Sequence, residues 1–249
     1  MTVTPQPLID ARIYYGSLDA TGYSNHVEFS GDWEALDRTT FGSGGARERV
    51  NGLADATVNL GGFWDAGDLS KPDDVLWANN GTYTQPLTVG PTSGADGTLV
   101  YLTKVSQNSY KPSGEVGKLF GWTADMNGNQ PIARGLILHP QGTARTATGT
   151  GTGRQLGAVL ATQRLYANLH VMSIAGTSTP TITVKIQSSV DNTWASPTDR
   201  IAFTAATTLT GQPLNVLGAI TDQWWRAVWT ISGSSPSFLF AVSAGIAAK

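Results

Sequence analysis

The sequence predicts an all-β protein: an antiparallel β-sandwich or half-barrel with one short helix. Three observations carry that reading. The first is period-two patterning. Ile182, Val184 and Ile186 alternate with Thr181, Thr183, Lys185 and Gln187, and side chains two apart share one face of an extended chain. Trp225, Ala227, Trp229 and Ile231 form a second such face, and Phe238, Phe240 and Val242 a third. The second observation is composition. Of 249 residues, 31 are Thr, 29 are Gly and only 14% are charged, against about 25% in an ordinary soluble domain. Thr, Val, Ile and aromatic residues suit a pleated surface. The third is punctuation by turn residues, at Asp19-Ala20-Thr21-Gly22, Asn127-Gly128-Asn129, Gly176-Thr177-Ser178 and Ser232-Gly233-Ser234.

Taken in order, the strand candidates are roughly 8–15, 25–37, 55–64, 97–106, 114–125, 131–139, 158–174, 181–190, 199–206, 223–232 and 236–244. A short helix is expected near 71–79. Ser70-Lys71-Pro72-Asp73 resembles a capping box, Val75, Leu76 and Trp77 follow, and Gly81 is a stop signal. Residues 142–153 are low-complexity Thr and Gly, interrupted by Arg145. A segment of that composition buries little apolar area, so it reads either as a linker or as an arm that orders against a neighbouring copy. The expected organisation is an N-terminal β-unit over 1–141, a Thr/Gly-rich loop or linker over 142–154 and a C-terminal β-unit over 155–249, the two units being parts of one composite domain.

The absence of cysteine excludes a disulfide framework and thiol catalysis. No run of about 18 apolar residues is present to cross a membrane as a helix, and Met1–Pro7 lacks the basic and apolar regions of a secretion signal. The net charge of −2 argues against a dedicated nucleic-acid binder. Charge is nonetheless uneven. Residues 1–140 carry 9 Lys and Arg against 15 Asp and Glu, whereas residues 141–249 carry 7 against 3. Either two surfaces of one molecule face different neighbours, or the acidic half of one copy meets the basic half of another.

No catalytic signature emerges. His26, His139 and His170 are far apart and lack the clustered spacing of a zinc site. Asp65, Asp68, Asp73 and Asp74 fit turn and cap roles better than a calcium loop, because the alternating oxygen ligands of such a loop are missing. The Gly-rich pieces at 42–45 and 149–153 lack the Lys-Ser/Thr of a phosphate loop, so no cofactor is expected. Adjacent residues of a strand face opposite sides, so one of Trp224 and Trp225 points to the core and the other outward. The outward one covers a neighbouring subunit or, alternatively, stacks on a sugar.

The segment Thr39-Thr40-Phe41-Gly42, Arg47-Glu48-Arg49-Val50-Asn51-Gly52-Leu53, Val58-Asn59-Leu60-Gly61-Gly62-Phe63-Trp64-Asp65 resembles tail tube (major tail) proteins of long-tailed bacteriophages, chiefly those of actinobacterial hosts. Leu165–Val171, Thr181–Ser189, Trp225–Thr230 and Ser235–Val242 extend the resemblance over most of the chain. It implies a non-enzymatic virion tail subunit, assembled in the host cytoplasm. Copies would close a hexameric ring with a continuous inner β-barrel, and the rings would stack around a bore that conducts DNA during genome ejection without binding it specifically. The implied partners are further copies of the chain and other tail proteins: terminator, tape measure and tail tip. Phe41, Arg47, Arg49, Leu53, Trp64 and Trp224 are the candidate subunit-interface residues, with core packing as the alternative for Phe41, Leu53 and Trp64. The competing functions are a head decoration or tail-tip protein and a carbohydrate-binding module using Trp224 or Trp33.

Overall fold

The computed structural model describes residues 7–248, so the reading of Met1–Gln6 lies outside the described residues. In chain order the elements are β1 (Arg12–Tyr15), β2 (Leu18–Asp19), β3 (Ser24–Asp37), β4 (Arg49–Phe63), α1 (Pro72–Ala78), β5 (Gln85–Gly90), β6 (Leu99–Ser113), β7 (Gly121–Gly128), β8 (Ala133–His139), β9 (Gly149–Thr150), β10 (Arg154–Gln155), β11 (Gln163–Ser189), β12 (Thr198–Ala202), β13 (Thr210–Leu217) and β14 (Trp224–Ala248). The all-β class holds. Among the described residues the strands form one antiparallel network in the order β12-β11-β14-β8-β6-β5-β1-β2. To it are added β13 on β11 and the series β3-β4-β7 on β6, and the sheet is not closed into a barrel.

Boundaries moved where propensity met tertiary context. Residues 114–120 form a loop rather than the start of a strand, and residues 8–11 stand outside β1. The strands expected at 158–174 and 181–190 are one strand of 27 residues, β11, and those at 223–232 and 236–244 are one strand of 25, β14. The turn residues between each pair mark a corner instead of a reversal. Register shifts fall at Val171/Ser173, Ala175/Thr177 and Thr177/Thr181, and Gly176 and Gly233 take φ of +128° and +113°, values open to glycine. At this corner the paired ribbon β11–β14 folds back, so its two halves share one core. Leu165, Leu169, Val171 and Val242 from one half pack with Ile182, Val184, Ile186, Trp225 and Trp229 from the other. Phe238 and Phe240 are fully buried there, and each such side chain contributes about 1.5–3 kcal/mol. Trp225 is buried and Trp224 half-exposed, as strand alternation requires.

Strands β5 and β13 escaped the sequence reading. Both carry proline, which reads as a strand breaker, and β13 tolerates Pro213 because it lies at an edge, paired with β11 alone. Helix α1 forms where expected, but without a capping box. Lys71 is the N-cap and makes no side-chain cap bond. The Ser70 backbone N–H and hydroxyl both donate to Asp68, a local competitor that outbids the helix end.

Residues 142–153 are also not a free linker. Arg145 pairs through its backbone with Phe238, Gly151 N–H donates to Ala227 O at 2.8 Å, and β9 pairs with Val228 and Trp229 of β14. The glycines serve close approach rather than flexibility: a Cβ on Gly149 would meet the Trp229 ring at 2.7 Å, and one on Gly151 would meet Leu138 O at 2.9 Å. Arg145 fastens this strap by donating from Nε to His139 Nε2 at 3.1 Å, and the Trp229 indole donates to Ala147 O at 3.1 Å.

The N-terminal strands close a second core around Tyr15, Leu60, Leu76, Leu87, Val105, Trp122 and Met126. A buried polar chain joins the two cores. His170 Nδ1 lies 2.8 Å from Gly16 O and therefore carries the proton, so Nε2 accepts from the Thr88 hydroxyl at 2.9 Å. Thr88 in turn accepts from Ser243 at 3.0 Å and from the Asn168 amide at 3.2 Å. Every member has a defined direction only while His170 is neutral. Burial pushes His170, and likewise His139, down to about 4.

A candidate self-assembly surface

The sheet positions one feature away from the body. Strand β7 pairs with β4 only over Thr57–Phe63, and β3 pairs only with β4. From Gly31 to Asp37, and back from Arg49 to Ala56, the two strands have no partner but each other. This two-stranded arm projects about 23 Å before its tip, at about 3.3 Å per residue. A lone two-stranded ribbon is marginal in water, yet this one carries an apolar face. Val27 and Phe29 pack on the N-terminal core, with the Phe29 ring 4.9 Å from Tyr101. The same face continues outward through Trp33, opposite Ala54, and beyond a register shift through Ala35, opposite Asn51. The other face is acidic near the body and ends, toward the tip, in the exposed pair Leu36 and Val50. Asp32 sits directly across from Asp55, a like-charge pairing that costs stability. Glu28 and Glu34 are on that same face by alternation.

The tip is ordered by its own bonds. Asp37 accepts from Thr39 N–H at 2.8 Å, the Thr39 hydroxyl accepts from Glu48 N–H at 2.9 Å, and Arg38 meets Glu48 at 3.3 Å. Bonds from Thr39 hold the Asp37 carboxyl below its usual range. Ser43 N–H closes a turn on Thr40 O at 3.0 Å, which leaves Phe41 at the outer corner, fully exposed.

Four of the six interface candidates, Phe41, Arg47, Arg49 and Leu53, come together on this arm, all exposed. Core packing is thereby excluded within the chain for Phe41 and Leu53. Trp64 lies beyond the body end of β4, where its ring sits 5.5 Å from Phe120 and its backbone N–H donates to Phe120 O at 3.0 Å. Trp224 is elsewhere, at the start of β14. The rival sugar platforms are likewise separate: Trp33 on the arm and Trp224 on the C-terminal half.

The carboxylates grouped in sequence are occupied in holding the loop before α1. Asp65 pairs with Lys71 at 2.8 Å, Asp74 accepts from Gly67 N–H at 2.8 Å, and Asp73 accepts from the Tyr110 hydroxyl at 2.8 Å. Among the described residues no group of three His, Cys, Asp or Glu side chains is placed to hold a metal, and one ion pair, Arg154–Asp96, links the acidic half to the basic half. The charge imbalance between the halves is therefore largely uncancelled inside the chain. Sequence reasoning also missed an apolar groove of about 770 Å³ at the ribbon corner, lined by Leu69, Met172, Ile174, Pro180 and Leu209. Its walls come from three distant segments, so no local pattern announces it.

No family model matches the chain, and no curated protein matches it. Among solved structures it is similar to a chain of the virion of a native gene transfer agent particle, at 16% identity and TM-score 0.41 over 52% of this chain and 98% of that one. It is also similar to a chain from the tail of an empty particle of that kind refined with C6 symmetry, at 15% identity and TM-score 0.38 over 49% and 93%. A third similarity is to the Dit (gp 19.1) protein of phage SPP1, at 10% identity and TM-score 0.37 over 95% and 99%.

Proposed function

We propose that the chain is a non-enzymatic structural subunit of a phage-type virion tail that associates with copies of itself into rings and stacks those rings into a tube. One observation carries the proposal. The β3–β4 arm exposes an apolar face and a fully ordered tip that the chain itself leaves uncovered, and a second copy supplies the missing cover. The unpaired edge of β3 is open to augmentation by another strand, which removes an aggregation-prone border. A contact between two different surfaces of identical copies propagates as a ring or a filament. The acidic face bearing Glu28, Asp32, Glu34 and Asp55 suits a bore along which DNA phosphates slide without capture. The units 1–141 and 155–249 act as one body in this reading, because β8 and β14 pair across the 142–154 strap. Phe41, Arg47, Arg49, Leu53, Trp64 and Trp224 are proposed as contact residues. The ends of the tube would meet the tail terminator and tail-tip proteins, and its bore the tape measure.

Negative-stain microscopy across a concentration series tests this. Hollow filaments with a regular axial repeat are the expected outcome. Monomers at every concentration contradict the proposal, and discrete rings that never stack favour a tail-tip role.

A further inference from the structure

We infer that the arm tip of one copy seats Phe41 in the apolar groove beside Leu69, Met172, Ile174 and Leu209 of the next copy. This deepens the assembly reading above and rests on it. The tip offers a knob. Phe41 is at the corner of a hydrogen-bonded turn, so its exposure reflects a built conformation. The groove offers the complementary seat, an open depression of about 770 Å³ whose apolar side chains are mixed with polar ones, Asp68, Thr207 and Thr208 among them. Leu69 stands at its rim, 65% exposed.

Chain geometry identifies the occupant as a second copy. Strand β4 runs from the tip to the body over 15 residues, about 50 Å at 3.3 Å per residue. Leu69 follows a few residues after the strand ends at Phe63. Knob and groove therefore lie at opposite ends of one ribbon, and a chain does not reach its own groove. Such a head-to-tail contact is heterologous and repeats along an axis.

Charge agrees with the pairing. The tip, 37–49, holds Arg38, Arg47 and Arg49 against Asp37 and Glu48, a net +1. The segment beside the groove, 65–74, holds Asp65, Asp68, Asp73 and Asp74 against Lys71, a net −3. Arg47 makes no ion pair among the described residues, and Asp68 lines the groove itself. Opposite potentials of this kind set register between partners. The competing acceptor is the exposed apolar patch of Phe63, Trp64, Leu119 and Phe120 at the same end.

The chain has no cysteine, so single-cysteine variants report contacts without background. Phe41→Cys is mixed with Leu69→Cys or with Leu119→Cys, allowed to assemble, and treated with a short bis-maleimide. The expected result is a cross-linked dimer from the Phe41→Cys and Leu69→Cys mixture alone. Dimers through Leu119→Cys, dimers between two Phe41→Cys chains, or no dimer from assembling protein each overturn the groove while leaving self-assembly intact. In parallel, Phe41→Asp is expected to weaken association on the order of thirtyfold, as loss of an aromatic anchor does. Unchanged assembly of that variant also overturns the inference. An unaltered chain that never assembles defeats both this contact and the proposed function.

Discussion

Two long antiparallel ribbons, built alike, end differently in this molecule. The β11–β14 ribbon carries irregular register and positive-φ glycines midway, folds back on itself and buries both halves in one core. The β3–β4 ribbon has no such corner. Its apolar face starts on the body at Val27 and Phe29 and runs out into solvent through Trp33. The same β-patterning thus yields a self-contained core where the chain bends and an unfinished surface where it does not. What separates a closed core from an exposed face here is a corner, not hydrophobicity.

Core truncation breaks the comparison most strongly. Phe240→Ala in the folded-back ribbon should cost about 3–5 kcal/mol, read as a lower denaturant midpoint. Trp33→Ala on the arm should change the monomer by less than about 0.5 kcal/mol. Equal losses would mean that the arm is already part of the monomer's core.

Acid is the next lever, and between pH 7 and 4 it acts through the two buried histidines of the C-terminal ribbon and its seam. His170 and His139 have native values of about 4 against an ordinary 6.5. Below 6.5 the unfolded chain takes up protons that the native state refuses. The histidine contribution should therefore be full above about pH 7 and be lost between 6.5 and 4, and carboxylates held below their usual range, Asp125 and Asp222 among them, continue the fall below 4. The loss is on the order of 3 kcal/mol per histidine. Unfolding titrations at pH 7.5 and 4.5 check the sign, and His170→Gln should remove part of the slope.

Straightening the corner is expected to cost somewhat less. Gly233→Val forces a β-branched residue to φ +113°, and its Cβ would lie 2.8 Å from Pro180 Cα. A loss of about 2 kcal/mol is expected, measured by thermal or denaturant unfolding. The smallest effect belongs to the arm. Asp32→Asn relieves the Asp32–Asp55 opposition and should raise monomer stability by about 0.5 kcal/mol at low salt, with the gain shrinking as salt is added.

Much of the body was legible because alternation is a local signal. Ile182, Val184 and Ile186 all point inward, as do Trp225, Ala227 and Trp229. The arm was only half legible. Its outgoing strand was expected at 25–37, but Arg49–Ala54 contains Asn51, Gly52 and a register shift that breaks the alternation. For residues 142–153, expected as a loop or linker, it was the free-linker alternative that did not hold, for a different reason. Composition describes an isolated segment, whereas glycine there admits the Trp229 ring and the Leu138 carbonyl. The His170–Thr88–Ser243 chain and the apolar groove join residues far apart in sequence, so only tertiary structure assembles them. Phe41, Arg47, Arg49 and Leu53 were singled out through family resemblance, since nothing in their own spacing separates an exposed arm from a core hairpin.

Hydrogen exchange along the arm tests the central claim most directly. Amides of residues 31–37 and 49–56 should exchange rapidly in dilute monomer and become strongly protected in concentrated, assembled protein, while those of Leu165–Val171 stay protected in both. Arm amides that exchange equally in the two states would show that no second copy completes the ribbon.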